Sequence, residues 1–464
     1  MSRKIKNQKG AAYKWVGKFF IFSLLIIHCT LCIDAQELRR ITQDEAVELA
    51  IKNNLNLESQ RIDTAQKKRK SDLFWNQFIP TVSAQAAFIG DNNKQPVTEY
   101  ADISNWHFNW GVDVSLTLPV IALASGIKSL KQDYQNGVIT YDKAKLQLER
   151  DIRKSYNQIL LIQENYNLQQ QSLDNAKAAA ESARINYLNG RSPELSWLQA
   201  EVTAKNQMPA IDQTQNSLKM AKNELAMNLG LDFNELELDL EPLEEGSSFA
   251  ALNTDELVKQ SLERKPELLD IRAQLRTAQT QRTAQLLQIW TPAMQLKWNT
   301  SSTYTQSEIA GEKTSFTNWD DWNPKSSGGF TFALSWTPTN FLPFGANYQS
   351  IKAIDDNLSK LRIGLTQTIQ ATELEVYNKL FTLEQTRLSM EASEANVDLA
   401  RRSYNMTRQA YGSGLQNFLQ VQQSEEQLNK AQLSMHQQKF DYISNLIDLE
   451  YAIGVPFGTY SSLK

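Results

Sequence analysis

Residues 152–187 read IRKSYNQILLIQENYNLQQQSLDNAKAAAESARINY, and this stretch decides the fold class. Neither Gly nor Pro interrupts the longer segment 138–189. It predicts one helix from about Ser125 to Asn189, which at 1.5 Å per residue is roughly 100 Å long. An apolar or small residue recurs at every seventh position, which predicts a left-handed coiled coil. These positions are Ile152, Ile159, Tyr166, Leu173, Ala180 and Tyr187.

The same pattern occurs a second time. Segment 365–411 also lacks Gly and Pro, and its heptad positions are Val376, Leu383, Met390, Val397, Tyr404 and Tyr411. Asp44-Glu45-Ala46-Val47 and Asp255-Glu256-Leu257-Val258 open corresponding helices. Such ordered self-similarity predicts a tandem repeat. We therefore expect a first repeat over 36–231, an acidic linker over 232–253, a second repeat over 254–452 and a C-terminal tail over 453–464.

Each repeat is predicted to contain a strand pair followed by a helical hairpin. The strand pairs fall within 80–119 and 293–337, and the hairpins within 125–229 and 345–452. Four segments alternate apolar and polar residues and are about ten residues long, as tilted membrane strands are. Eight of the ten Trp lie in or beside them, as in the aromatic girdles of barrels: positions 75, 106, 110, 290, 298, 319, 322 and 336.

Four strands cannot close a barrel, and open sheet edges do not face lipid. If the strands enter a membrane, several copies of the chain must share one barrel. The polar stretches 90–105 and 305–327 are then expected to be long external loops. A half-buried sheet in a soluble protein remains the alternative interpretation.

The N-terminus is expected to be a secretory signal over residues 1–35. A basic region precedes the apolar run 19–31, and Ala35 offers a small-residue cleavage site. Cleavage there would remove both cysteines, Cys29 and Cys32. We therefore expect an exported chain without disulfides.

Composition argues against several classes of function. The formal net charge is −4, which gives no reason to expect nucleic acid binding. The chain has only two Cys and three His, and it contains neither a phosphate-binding glycine loop nor a zinc-binding helix motif. His107 and His436, the candidates for a catalytic triad, are interpreted as surface residues. We expect no enzyme activity, no cofactor and no metal site.

The doubled arrangement resembles the TolC-like outer membrane efflux channels of Gram-negative bacteria. The matching features are Asp44-Glu45-Ala46, Phe78-Ile79-Pro80 and the two turns of the form Tyr-x-x-Gly, Tyr187–Gly190 and Tyr411–Gly414. The resemblance covers about residues 38–454. It implies a mixed α/β membrane protein, in which long coiled-coil hairpins form a periplasmic tunnel and four strands per chain contribute to a shared 12-stranded outer-membrane β-barrel.

The resemblance also implies partners. It predicts a homotrimer in outer membrane lipid, which works with a periplasmic adaptor (membrane fusion protein) and an inner-membrane pump of the RND or ABC type. The trimer would conduct substrates passively to the exterior. The substrate class stays open among drugs, metals and exported proteins. An exported periplasmic coiled-coil spacer without a pore is the alternative, although it leaves the alternating strands unexplained.

Two sets of candidate functional residues follow from the resemblance. The adaptor would contact the hairpin tips, here Asn189, Gly190, Arg191, Ser413, Gly414 and Leu415. The family often has an Asp six residues after each tip glycine, which forms an acidic periplasmic gate. Ser196 and Gln420 occupy these positions, and Gln423 lies one helical turn beyond Gln420. This chain is therefore expected to have a neutral gate of Ser196, Gln420 and Gln423.

Overall fold

The computed structural model describes residues 39–90, 101–118, 122–231, 236–238, 253–309 and 312–460. The predicted signal and most of the predicted acidic linker lie outside these ranges. The described chain is mostly helical, with one antiparallel sheet. None of its helices combines the length and the apolar character that a membrane crossing needs.

Eight α-helices occur within the described ranges. They are α1 (Gln43–Asn53), α2 (Leu55–Asp72), α3 (Ala122–Leu188), α4 (Glu194–Leu229), α5 (Thr254–Arg264), α6 (Pro266–Trp290), α7 (Ala346–Gly412) and α8 (Phe418–Ile453). Short 3-10 helices span Phe74–Phe78, Trp319–Asp321 and Pro338–Phe341. The two predicted heptad helices are α3 and α7, each of 67 residues.

The strands are β1 (Arg39–Ile41), β2 (Thr81–Gly90), β3 (Ala101–Leu118), β4 (Leu236–Leu238), β5 (Ala293–Ile309), β6 (Glu312–Lys313) and β7 (Trp322–Ser335). The long strands form an antiparallel sheet in the order β2-β3-β5-β7, with β6 as a short addition to β5. β1 and β4 form a separate parallel pair, so part of the segment predicted as a linker is a strand.

The expected strand lengths and loops need correction. β3, β5 and β7 have 18, 17 and 14 residues rather than about ten. β3 begins at Ala101, inside the predicted loop 90–105, and β5 and β7 both extend into the predicted loop 305–327. The sheet continues because polar residues such as Thr303 and Asn323 still pair across strands. Hydrophobic alternation fades where both faces of a strand are polar, so it underestimates strand length.

One face of the sheet is apolar along all four long strands. Val82 pairs with Val114, which pairs with Trp298, which in turn pairs with Phe330. Side chains at alternate positions point to the same face of a sheet. Leu116, Leu296 and Phe332 therefore form the next row on this face. Phe330, Phe332 and Leu334 are each more than half exposed. Such an exposed apolar face needs an apolar surrounding.

The opposite face of the sheet is polar. Ser83, Asp113 and Asn299 form one cross-strand row, and Ser115 and Lys297 belong to the next. Lys297 Nζ lies 3.0 Å from Asp113 Oδ1, so the charges on this face are paired with each other. An apolar band on one face and polar residues on the other form the pattern that membrane β-barrel walls have.

The two helical hairpins are equal in length. α7 and α8 begin and end 224 residues after α3 and α4, respectively. The ends of the hairpins also match. Gly230 and Gly454 end α4 and α8 in left-handed conformations, with φ of +67° and +75°. A Cβ atom on Gly230 would approach Asn53, at the end of α1, and one on Gly454 would approach Arg264, at the end of α5. These matches confirm the predicted internal repeat.

Each repeat has its own hydrophobic core beside these glycines. Ile152, Leu225 and Leu229 are buried in the first core, and Val376, Leu449 and Ile453 take the same places in the second. Removing a buried leucine side chain typically costs about 2–5 kcal/mol. The cores therefore hold the hairpin helices together at the C-terminal ends of α4 and α8, which lie away from the tips.

Candidate functional site

The hairpin tips are two turns with the same hydrogen bonds. In the first, Arg191 N–H donates to Asn186 O at 2.8 Å and Gly190 N–H donates to Tyr187 O at 2.8 Å. In the second, Leu415 N–H donates to Ala410 O and Gly414 N–H to Tyr411 O, both at 2.9 Å. This is the Schellman arrangement, in which a left-handed residue ends a helix. Gly190 and Gly414 have φ of +69° and +74°.

The tips are open to solvent. No atom lies within 4 Å of the position that a Cβ atom would take on Gly190 or Gly414. Leu188 and Leu415 are exposed beside the two glycines. Asn189, Arg191 and Ser413 complete the tips and are also exposed. Each tip therefore presents an exposed leucine beside a turn that two backbone hydrogen bonds hold.

The three candidate gate residues lie just beyond the tips and do not contact each other within the described chain. Ser196 is half-buried in the first turn of α4, where its N–H donates to Pro193 O. Gln420 is exposed and caps α8: Asn417 N–H donates to Gln420 Oε1 at 3.4 Å, and Gln420 N–H donates to Asn417 Oδ1 at 3.0 Å. Gln423 is exposed on α8. No hydrogen bond joins any two of these three residues in the described chain.

A different set of residues joins the two hairpins near the tips. Gln422 Nε2 donates to Thr203 Oγ1 at 3.1 Å, and Asn429 Nδ2 donates to Ser172 Oγ at 3.0 Å. Sequence reasoning missed them because it placed the gate by distance from the tip glycines. Gln422 is adjacent to Gln423, but the α-helix turns its side chain toward α4 instead.

Glu425 is a partly buried acid at this junction. Asn175 Nδ2 of α3 donates to Glu425 Oε1 at 3.0 Å. Burial raises the pKa of Glu425, and the Asn175 hydrogen bond and the nearby Arg408 guanidinium oppose this shift only in part. The junction surrounds a groove of about 530 Å³, lined by residues of α3, α4, α7 and α8 that include Tyr404 and Tyr411. The groove thus has a mixed polar and apolar lining and contains an acid that is partly withdrawn from water.

A second charged junction lies on the same helices, farther from the tips. Lys154 Nζ of α3 lies 3.0 Å from Asp448 Oδ1 of α8, and Lys379 Nζ of α7 lies 2.8 Å from Asp448 Oδ2. Burial alone would raise the pKa of Asp448, but the hydrogen bonds from Lys379 and Lys154 outweigh it and hold that pKa below its usual value. One carboxylate thus links the first repeat to the second.

Residue types that bind metal ions are dispersed in the part of the chain that the structure describes. In the described ranges, no three His, Cys, Asp or Glu side chains come together in a way that could hold a metal ion. His436 lies on α8 near Glu164 of α3, and burial lowers its pKa. His107 lies in β3, where it pairs with Thr305 of β5. The two histidines lie in different parts of the fold.

Comparison with known proteins decides the family. The sequence profile of the family described as "Outer membrane efflux protein" matches residues 46–231 and 257–455. The chain belongs to this family. The two matched segments correspond to the two repeats, and membership assigns the chain an efflux channel role in the outer membrane. Members of this family are channels and not enzymes.

Solved structures show the same fold at low sequence identity. A crystal structure of CusC, described in connection with transmembrane channel formation, superposes with a TM-score of 0.68 at 16% identity, covering 91% of this chain and 93% of that one. For the CmeC outer membrane channel of Campylobacter jejuni the TM-score is 0.68 at 14% identity, over 89% and 85% of the two chains. The MtrE outer membrane channel of Neisseria gonorrhoeae, in its open state, gives 0.67 at 16% identity, over 89% of each chain. No curated protein matches by sequence.

Proposed function

We propose that three copies of this chain form one channel, which passively conducts substrates delivered by an inner-membrane pump through a periplasmic adaptor. The observation that supports this best is the four-stranded sheet. Its apolar face is exposed and its polar face carries a paired Asp113 and Lys297. Among the described residues, its two outer strands, β2 and β7, each pair on one side only. Three such sheets joined β7 to β2 would make a closed 12-stranded barrel around a polar lumen.

Each repeat contributes one helical hairpin to the channel in this proposal. The organisation into repeats 36–231 and 254–452, with a linker between them, gives each chain two hairpins and therefore gives the trimer six. The hairpins would surround a tunnel that continues the barrel lumen into the periplasm. The pump would be of the RND or ABC type, and it would supply the energy.

Light scattering in detergent tests the stoichiometry, and conductance in planar bilayers tests the pore. We expect a particle whose protein mass corresponds to three chains, together with discrete conductance steps. A stable monomer would contradict the shared barrel. A trimer that never conducts would favour the coiled-coil spacer.

The tips Asn189, Gly190, Arg191, Ser413, Gly414 and Leu415 are proposed as the adaptor surface. This assignment is supported by the two hydrogen-bonded turns and by the exposed leucines beside them. A Gly190→Trp, Gly414→Trp double variant should lose export while still assembling. The matched control is the double Ala variant, which has the same backbone strain without the bulk. If the Trp variant exports normally, the tips are not the interface.

Ser196, Gln420 and Gln423 are proposed as a neutral constriction at the tunnel entrance. Amide dipoles discriminate between ions far less than full charges do. Wild-type channels should therefore show weak cation selectivity, and Gln420→Asp should increase it. Gln409→Asp, which adds the same charge on α7, serves as the control. Strong cation selectivity in the wild type would mean that a carboxylate ring exists elsewhere, for which Glu425 and Glu426 are the nearest candidates.

A further inference from the structure

The contact between the two repeats provides a template for a contact with a second copy of the chain. α3 of the first repeat packs against α6 and α8 of the second. Three side-chain contacts set α3 and α8 in one antiparallel register: Lys154 with Asp448, Ser172 with Asn429, and Asn175 with Glu425. Within the described chain, no helix of the first repeat packs on α7 to the extent that α8 packs on α3.

The equal length of the hairpins allows this register to be transferred. α7 is the counterpart of α3, and α4 is the counterpart of α8, each displaced by 224 residues. The pair Ser172 and Asn429 becomes Asn396 on α7 and Lys205 on α4. The cation–π pair Arg150 and Tyr451 becomes Leu374 on α7 and Met227 on α4. Both new pairs would form only between copies.

The transferred register brings exposed apolar side chains together. One heptad after Leu374 is Phe381, and one heptad before Met227 is Met220. Further along, the same register sets two more apolar residues of α7 opposite apolar residues of α4. The four pairs are Leu374 with Met227, Phe381 with Met220, Leu399 with Val202, and Met406 with Leu195. All eight side chains are between 56% and 73% exposed in the single chain.

This match depends on the register. Displacing α4 by one residue would set Leu374 opposite Ala226, which is fully buried in the core of the first repeat. The counterparts of the α7 residues, on α3, are all polar: Arg150, Asn157, Asn175 and Ser182. These four positions are therefore polar on α3, which meets α8 of its own chain, and apolar on α7, where they are exposed in the described chain.

We propose that the α7 face (Leu374, Phe381, Leu399, Met406) of one copy docks onto the α4 face (Leu195, Val202, Met220, Met227) of the next, in the register of the internal repeat. The proposal rests on the trimer proposed above. At these positions the contact between copies would consist of four apolar pairs. Separating such pairs exposes hydrocarbon to water and is costly.

Cysteine pairs can test this register. A disulfide requires Cα atoms within about 7 Å of each other. The full-length protein with Lys205→Cys and Asn396→Cys is expected to form covalent dimers and trimers on non-reducing gels. Ser172→Cys with Asn429→Cys is the control for the geometry, because these residues contact each other within one chain. It should form an intrachain disulfide and no covalent dimers or trimers. Asp212→Cys with Asn396→Cys is the negative control, displaced by one heptad, or about 10 Å.

The outcomes separate this inference from the proposed function. A ladder with the 205/396 pair and none with the 212/396 pair supports the register. If light scattering shows a trimer but the 205/396 pair gives no interchain bond, the register is wrong while the trimer stands. The same conclusion follows if the 212/396 pair links more readily. A monomer by light scattering overturns both proposals.

Discussion

The Nζ atom of Lys154 in α3 lies 3.0 Å from both carboxylate oxygens of Asp448 in α8. This contact joins residues 294 positions apart and belongs to the seam between the two repeats. It also sets the register from which the contact between copies was inferred. The predictions below concern this seam, the tips and the sheet.

Asp448→Asn should weaken the seam. The variant leaves two ammonium groups facing a neutral amide, and hydrogen bonds to charged groups contribute about 1.5–3 kcal/mol each when well shielded. The three side chains are partly exposed, so a net loss of about 1–2 kcal/mol is expected. The readout is the thermal unfolding midpoint in detergent at pH 7. Asp398→Asn is the control, because its pair with Arg402 is exposed and should contribute under about 0.5 kcal/mol.

The same variant has a defined pH dependence. The pKa of Asp448 is lowered in the folded chain, so its stabilising contribution is present above its unfolded pKa of about 4 and is lost as the pH falls through the lowered value. Wild type and Asp448→Asn should therefore converge in strong acid. A constant difference between them down to pH 2 would show that the carboxylate charge is irrelevant.

Glu425→Gln should stabilise the contact between α8 and α3 at neutral pH. The raised pKa of Glu425 means that its favourable contribution is complete below its unfolded pKa, near 4.3, and is lost as the pH rises through the folded value. Glutamine keeps an oxygen for Asn175 and has no charge to desolvate. Amide exchange in the first turns of α8 should thus be slower than in wild type at pH 8 and equal at pH 4. Glu426→Gln, exposed and paired with Lys430, should show neither effect.

Gly414→Ala and Gly412→Ala should have opposite effects although they are two residues apart. Gly414 has φ of +74°, and a side chain in the left-handed region costs roughly 1–2 kcal/mol. Gly412 is the last residue of α7, and no atom lies within 4 Å of its Cβ position, so alanine there should stabilise by up to about 1 kcal/mol. The thermal unfolding midpoints of the two variants, each compared with that of the wild type, test this prediction. Equal effects would mean that the tip backbone rearranges.

Phe332→Arg should block stable insertion, whereas Thr331→Arg should not. The residues are adjacent in β7, but Phe332 is on the apolar face, in register with Leu296, and Thr331 is on the polar face beside Lys297. An arginine on the lipid face of a barrel costs about 2–4 kcal/mol at the bilayer midplane. Membrane fractionation reports insertion, and conductance should change only for Thr331→Arg. Normal insertion of the Phe332 variant would reverse the assignment of the faces.

The helices were predictable because their signals are local and repeated. Seven-residue spacing from Ile152 to Tyr187 needs no knowledge of other segments, and the second repeat confirmed it independently. Gly190 and Gly414 indicated the turns for the same reason. The three-residue strands β1 and β4 could not be predicted, since their pairing joins Ile41 to Leu238 across almost 200 positions.

The junction between the hairpins was missed for a related reason. Spacing from the tip indicated Gln420 and Gln423, but which face of α8 meets α4 depends on the rotation of the whole helix. Gln422 reaches Thr203 because Val421 and Ser424 turn into the hairpin and are buried. Only the packed structure supplies that rotation, so the residues that join two helices can be missed even where both helices are correctly predicted.

The identical lengths of the two hairpins restrict how this protein can evolve. A heptad added to α3 and α4 alone would carry Gly190 about 10 Å past Gly414. In the proposed trimer, the six tips would then no longer lie at one level. A longer or shorter tunnel therefore requires matched changes in both halves of the gene. Among homologous chains, insertions in one hairpin should be accompanied by insertions of the same size about 224 residues away, and unpaired ones should be rare.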